Sequence, residues 1–307
     1  MRPNGWLTCS RVVRADTEGT VVDNRKKPAA KKKGRRKSNT MLWTWLAVGV
    51  VVAVVATVVL IGTSSTNQAQ ATDLGKTSAQ IYNEVTKIPI SVYNTVGVSS
   101  PSIQVFPPQE KPGQPPLTFT TATGKKLPGG FYWGAEFCPY CAATRWGLIA
   151  ALSRFGTWTN MYNMLSTSND VAPNTPTFSF LHATYTSPYL IFKTYEIEDR
   201  NGKALQSTPS SIQPLITKYN PKGDFPFINF NNHWFQSTAF DPAVFAGASR
   251  VSIAAGLSDP TQPYTQAIVS SANYMSASIC SMTQSAPASV CHSPGVMAAA
   301  SALHITL

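Results

Sequence analysis

The chain has 307 residues, 43% of them hydrophobic and only 13% charged, with a formal net charge of +11. That length is a prior of one or two domains. The positive excess is local: residues 25–37 hold nine Lys or Arg, residues 1–24 balance to zero, and residues 41–307 carry thirteen bases against eleven acids. This excludes a basic field over the whole protein, and no folded nucleic-acid reader or aromatic interleaving accompanies the basic run.

Residues 1–40 are polar and basic, with no hydrophobic period, and read as a disordered cytoplasmic tail. "MLWTWLAVGVVVAVVATVVLIG" (41–62) follows, 22 residues without a charge. At about 1.5 Å per residue it is long enough for the roughly 30 Å of a bilayer's hydrocarbon core. Trp43 and Trp45 stand at its edge, and the basic run before it places the N-terminus in the cytoplasm and the rest outside. The span therefore predicts a single-pass membrane anchor with an extracytoplasmic C-terminal domain. A cleaved secretory signal is the rival, since "AQA" at Ala69–Ala71 resembles a cleavage site. The basic tail is expected to meet anionic lipid headgroups, at about 1 kcal/mol per basic residue near the surface.

Residues 63–116 are expected to be a stem. Its part 78–98 has the spacing of a short amphipathic helix broken at Pro89, and 101–117 holds six prolines in an extended segment. A compact α/β domain is expected over 117–285, with a tail at 286–307. Strands are predicted at 117–124 and 129–137, then a helix over 139–154 with Trp146, Ile149, Leu152 and Phe155 on one stripe. Residues 157–175 read as a long polar connection. Strands follow at 177–185 and 189–199, a short helix at 210–220, an antiparallel pair at 225–232 and 233–240, and a final helix at 259–283. Strand and helix alternate as in an α/β sandwich. The strand at 189–199 and the connection at 157–175 look like additions to that plan.

The chemistry centres on "FCPYC". Cys138 and Cys141 fall where the strand pattern becomes the helix pattern. A cysteine there meets unsatisfied backbone N–H groups and the positive end of the helix dipole, both of which favour thiolate. Pro139 suits the first helical position. Cys141, one turn on, supplies the resolving thiol that exchange chemistry requires. Three rivals remain: a zinc site, for which Cys280, Cys291 and His292 are poorly spaced partners; a copper carrier, although no Met- or His-rich cluster surrounds the pair; and a structural disulfide, which would close too short a loop to gain much.

Of the other candidates, Cys280 and Cys291 are expected to form a structural disulfide tying the last helix to its tail, with a second redox pair as the alternative. Cys9 reads as a plain thiol. His182, His233 and His304 read as packed or solvated. Trp133, Phe137 and Tyr140 are either core or an apolar docking surface. Arg145 either helps orient an incoming thiolate or lies on a solvated helix face.

"FYWGAEFCPYC" with the helix behind it resembles the active-site strand and helix of the thioredoxin superfamily, and its Pro-Tyr dipeptide is that of glutaredoxins. The resemblance implies a thioredoxin-like central sheet flanked by helices. It also implies a cis-proline opposite the cysteines, before the third core strand. "GDFPFINFNN" fits that place, which makes Pro226 the proline and Phe225 the residue whose backbone pairs with substrate. Pro139, Tyr140 and Phe225 would then line the substrate groove. Many thioredoxins carry a buried carboxylate six residues before the first cysteine; Tyr132 stands there in this chain, and Glu136 is the nearest candidate for proton transfer. "FYWGAEFCPYCAATRWGLIAALSRFGTW" and "PNTPTFSFLHATYTSPYLIF" also resemble the uncharacterised membrane-anchored family "domain of unknown function 929", over roughly residues 75–300. Together these imply a thiol–disulfide oxidoreductase with no organic cofactor and no metal. Its substrates would be protein thiols or disulfides, and a membrane redox partner would renew it. A redox-inert binding module on the same scaffold is the alternative function, with the metal carrier behind it.

Overall fold

The computed structural model describes residues 74–98 and 103–307. The basic tail, the apolar span at 41–62, the Ala69–Ala71 site and Cys9 lie outside the described residues. Among the described residues no helix is long and apolar enough to cross a membrane.

Two short helices come first, α1 (Ala79–Thr86) and α2 (Ile90–Val96), separated at Pro89 as the sequence predicts. The Ser78 side chain caps α1 by accepting from the Ile81 N–H. Ile81, Val85, Val92 and Tyr93 are buried in the main core, and the Tyr93 hydroxyl donates to the Ala150 carbonyl. The division drawn at residue 117 is therefore not a break in packing. Residues of the expected stem complete the domain, since their apolar stripe is buried in its core.

The sheet is built from β1 (Gln109–Glu110), β2 (Thr118–Thr120), β3 (Lys126–Gly134), β8 (Ile191–Glu196), β9 (Phe227–Phe230) and β10 (Trp234–Gln236). Strand β3 is its centre. Its residues Gly129–Gly134 pair in parallel with β8, and Gly130–Trp133 pair antiparallel with β9 on the other side. Beyond β9 come β10 and the short edge strand β1, both antiparallel to their neighbours, while β2 pairs with the start of β3. Asn231 and Asn232 turn β9 into β10 with positive φ of 58° and 59°, which asparagine tolerates better than most residues.

The parallel β3–β8 pair requires a crossover, and α3 (Pro139–Leu152) supplies its helix. Every residue of α3 except Tyr140 is buried. The expected single stripe is thus too narrow: α3 is packed all round, as its Ala- and Leu-rich composition allows. It lies on the face of the sheet carrying Tyr132, Ile228 and Phe230. On its other side runs α6 (Pro263–Met282). A Cβ on Gly147 would sit 2.2 Å from the Ser271 Oγ, so glycine is what lets these helices close on each other. The opposite sheet face, with Phe131, Phe227 and Phe235, is covered by Ile212 and by Ile216 and Tyr219 of α4 (Gln213–Tyr219).

Three expectations are corrected between α3 and β8. Residues 157–175 are not a polar connection. They and the following segment form two nested antiparallel ladders, β4 (Thr157–Thr159) with β7 (Thr184–Thr186) outside and β5 (Tyr162–Leu165) with β6 (Pro176–Ser179) inside. The polar look came from the solvent side of the strands, Thr157, Thr159 and Asn160, while Trp158, Met161 and Leu165 are buried. The predicted strand at 177–185 is accordingly split between β6 and β7 and lies off the main sheet. The strand at 189–199, read as an addition, is instead β8, the parallel neighbour of β3. The roles of core strand and addition are exchanged.

Past β10, a 3-10 turn (Pro242–Phe245) and α5 (Arg250–Gly256) lead into α6. Behind it α7 (Ala288–Cys291) and α8 (Pro294–Ala302) fold back onto α6, with Val296 and Ala299 buried. Cys280 and Cys291 are joined by a disulfide, Cα–Cα 5.6 Å, which ties this return to α6.

Candidate functional site

The cysteine pair sits at the C-terminal end of the central strand, where β3 gives way to α3. Cys138 is the helix N-cap, its sulfur accepting from the Cys141 N–H at 3.3 Å, and Pro139 takes the first position, where a missing N–H costs nothing. Across from it the chain enters β9 through a cis Phe225–Pro226 bond, and the Phe225 carbonyl oxygen lies 3.9 Å from the Cys138 sulfur. The Phe225 ring packs against Trp133 at 4.5 Å and Phe137 at 6.1 Å between centroids, which fixes that carbonyl opposite the cysteine. Trp133 is buried and donates its Nε1 to Thr208, so it belongs to the core. Phe137 and Tyr140 are half-buried and flank the motif.

Cys141 is a free, buried thiol, so the two cysteines of the motif are not bonded to each other here. Cys138 is disulfide-bonded, and not to Cys141. Burial pushes the Cys141 thiol up to about 11. Arg145, a backbone hydrogen bond from Ala135 and the Tyr132 hydroxyl pull the other way, and Glu196 adds to the rise. The folded protein thus holds this proton to a higher pH than the unfolded chain, so stability falls as pH rises from about 9 towards 11, by about 2 kcal/mol from this group alone. Urea midpoints at pH 8 and pH 10.5 should show reduced wild type losing more stability than Cys141→Ser. Parallel losses would contradict this assignment.

Beneath the pair lies a buried ion pair that the sequence did not reveal. Arg145, one turn after Cys141, is fully buried and not on a solvated face. Its Nε donates to Glu196 Oε1 at 2.9 Å and its Nη2 to Glu196 Oε2 at 2.7 Å. The same Nη2 reaches the Ala135 carbonyl at 2.9 Å, and Glu196 also accepts from the Phe180 N–H. Burial opposes the charge on Arg145, and Glu196, aided by Tyr132 and Cys141, more than offsets it. Glu196 stands at the end of β8. In the sequence it is one of three acids in the strand predicted at 189–199, with Glu198 and Asp199, and nothing there marks it as the inward one.

Glu136 is buried and its carboxyl is raised, first by burial and further by Glu196 and Asp199, against the Ser179 hydroxyl and Arg145. Ser179 on β6 donates to it at 2.5 Å, so it faces the nested hairpin. The structure therefore brings Cys138, Cys141, Pro139, Phe225 and Pro226 together and sets Glu136 beside them on the hairpin side. The loop at 166–175 closes that flank, with the Thr167 N–H donating to the Phe137 carbonyl. His233 pairs with Glu110 on the surface, and His182 stacks edge-on with Tyr162; neither joins the site. Among the described residues no group of His, Cys, Asp and Glu is placed to hold a metal ion.

The model of one family, described as "Domain of unknown function (DUF929)", matches residues 122–281. The chain belongs to that family. The match runs from just before β3, through the cysteine pair and the nested hairpin, to the end of α6. It is narrower than the 75–300 expected from resemblance and leaves out α1, α2, α7 and α8. No curated protein and no solved structure is similar enough to the chain to count as a match.

Proposed function

We propose that this family member is a thiol–disulfide oxidoreductase on a thioredoxin-like scaffold, held outside the cytoplasm by an anchor at residues 41–62. The observation that carries the reading is the placing of Cys138. It caps the helix of a strand–helix–strand crossover at the end of the central strand, with the Phe225 carbonyl 3.9 Å from its sulfur. That carbonyl is where an extended substrate backbone would pair in the superfamily the sequence resembles. Strand β9, which follows Pro226, is then the third core strand after β3 and β8.

In the reducing direction the Cys138 thiolate attacks one sulfur of a substrate disulfide. A Cys138–substrate disulfide forms, and the other substrate sulfur leaves as a thiolate and takes up a proton. Cys141 then gives up its proton and attacks the Cys138 sulfur. The second substrate sulfur leaves with a proton, and a Cys138–Cys141 disulfide remains. Two electrons have passed to the substrate, and the oxidising direction is the reverse. The raised Cys141 thiol suits this order, since Cys141 stays protonated until Cys138 is engaged. Protein thiols or disulfides are the substrates, a membrane redox partner renews the pair, and the basic tail rests on anionic lipid.

The test is the reduction potential of the Cys138–Cys141 pair in the full chain, by glutathione titration with thiol trapping. We expect a value between about −270 mV, a reductant, and about −120 mV, a disulfide donor. A pair still oxidised below about −300 mV would be a structural staple, and the reading would fall.

A further inference from the structure

Two polar atoms near Cys141 are buried and idle. The Tyr132 hydroxyl makes no hydrogen bond of ordinary geometry, and neither does Arg145 Nη1. Unsatisfied buried donors are rare, and each asks for an explanation. Tyr132 is fully buried, and its hydroxyl faces the Cys141 sulfur. Room for it is made by Gly134, where a Cβ would sit 2.2 Å from that oxygen. Arg145 follows Cys141 by one turn of α3, and its guanidinium lies 5.5 Å from the centre of the Tyr132 ring. The groups acting on the Cys141 sulfur are therefore the Tyr132 hydroxyl, the Arg145 guanidinium with Glu196 behind it, and the Ala135 backbone. Three of these donate hydrogen bonds or carry positive charge. The arrangement is poorly matched to a neutral thiol and well matched to an anion.

We propose that Tyr132 donates a hydrogen bond to the Cys141 thiolate in the resolving step, beside the positive field of Arg145. The inference rests on the thiol-exchange reading and assigns to a tyrosine the place beneath the second cysteine. Tyr132 gives up no proton. Burial raises its hydroxyl well above the ordinary tyrosine value, so it remains a donor. The proton that Cys141 loses leaves with the departing substrate thiolate, and the Tyr132 hydroxyl holds the negative sulfur while it attacks Cys138. Hydrogen bonds to charged groups are worth more than those to neutral ones, which is why the donor waits unpaired against the thiol.

The experiment uses the full chain in a Cys9→Ser background, reduced at Cys138 and Cys141 with the Cys280–Cys291 disulfide left closed, and Ellman's reagent. The first thionitrobenzoate released reports attack by Cys138, and the second reports resolution by Cys141. Tyr132→Phe should leave the first release unchanged and slow the second about tenfold at neutral pH, moving its pH–rate profile upward. The melting temperature should not fall, because the lost hydroxyl has no partner in the thiol state. A second release with an unchanged rate and pH profile would overturn the assignment to Tyr132 alone. A wild-type chain showing no first release would overturn the exchange reading and this inference with it.

Discussion

Cys138→Ser is expected to abolish thiol–disulfide exchange by the full chain, by about a thousandfold or more, leaving only the uncatalysed rate. A serine hydroxyl at the helix N-cap keeps the hydrogen bond to the residue-141 N–H and so preserves the start of α3. The fold should survive, and the loss should be chemical. Cys141→Ser should behave differently. Cys138 still attacks, nothing resolves, and mixed disulfides with substrate accumulate, visible as a mass increase that reductant removes. Assays of exchange with glutathionylated peptide, run on both variants, separate the two roles. If wild type and Cys138→Ser both exchange only at the uncatalysed rate, the chain is a redox-inert binding module, and the site is a scaffold without its chemistry.

The second large effect is on stability. Arg145→Ala removes the guanidinium and leaves the Glu196 carboxylate sealed in the interior, accepting only from the Phe180 N–H among the described residues. Breaking a buried pair on one side costs about 3–5 kcal/mol, a large part of the 5–15 kcal/mol typical of a folded domain. For a chain of this size that is a fall of roughly 6–20 °C in Tm. Three elements come loose together, since Arg145 on α3 also holds the Ala135 carbonyl after β3 and Glu196 on β8. Replacing both partners, Arg145→Met with Glu196→Leu, should cost much less, because no bare charge remains. Urea unfolding of the single and double variants decides the matter. A single variant within about 1 kcal/mol of wild type would mean that water reaches Glu196 and that the pair is not sealed.

Much of the site could be read from the sequence because it is local. The N-cap cysteine, Pro139 and Cys141 fall within four consecutive positions, and helix periodicity places them. The Asn-rich turn between β9 and β10 was legible for the same reason. What the sequence hid depends on tertiary pairing. Glu196 and Arg145 are 51 positions apart and meet only because β8 lies parallel to β3. The identity of β8 as the core strand was obscured by the insertion before it, whose buried residues alternate with threonines and asparagines that resemble loop. The sequence places Tyr132 six residues before Cys138, but its idle hydroxyl appears only once the thiol, the guanidinium and Gly134 are set around it. The apolar stripe at 79–96 was also legible, though not the core it would join.

The loop at 166–175 has a mechanical consequence. It is pinched shut at its base, where the Ser166 N–H donates to the Thr175 carbonyl and the Asn174 N–H to the Thr167 carbonyl, and the same base is fastened to the residue before Cys138. Residues 168–173 therefore hang from a closed clasp, with Val171 at 76% exposure near their tip. Insertions or deletions there would change the relief of the surface beside the sulfur while leaving every ladder and the cysteine geometry untouched. In this architecture the rim of the site and its working parts are free to diverge at different rates.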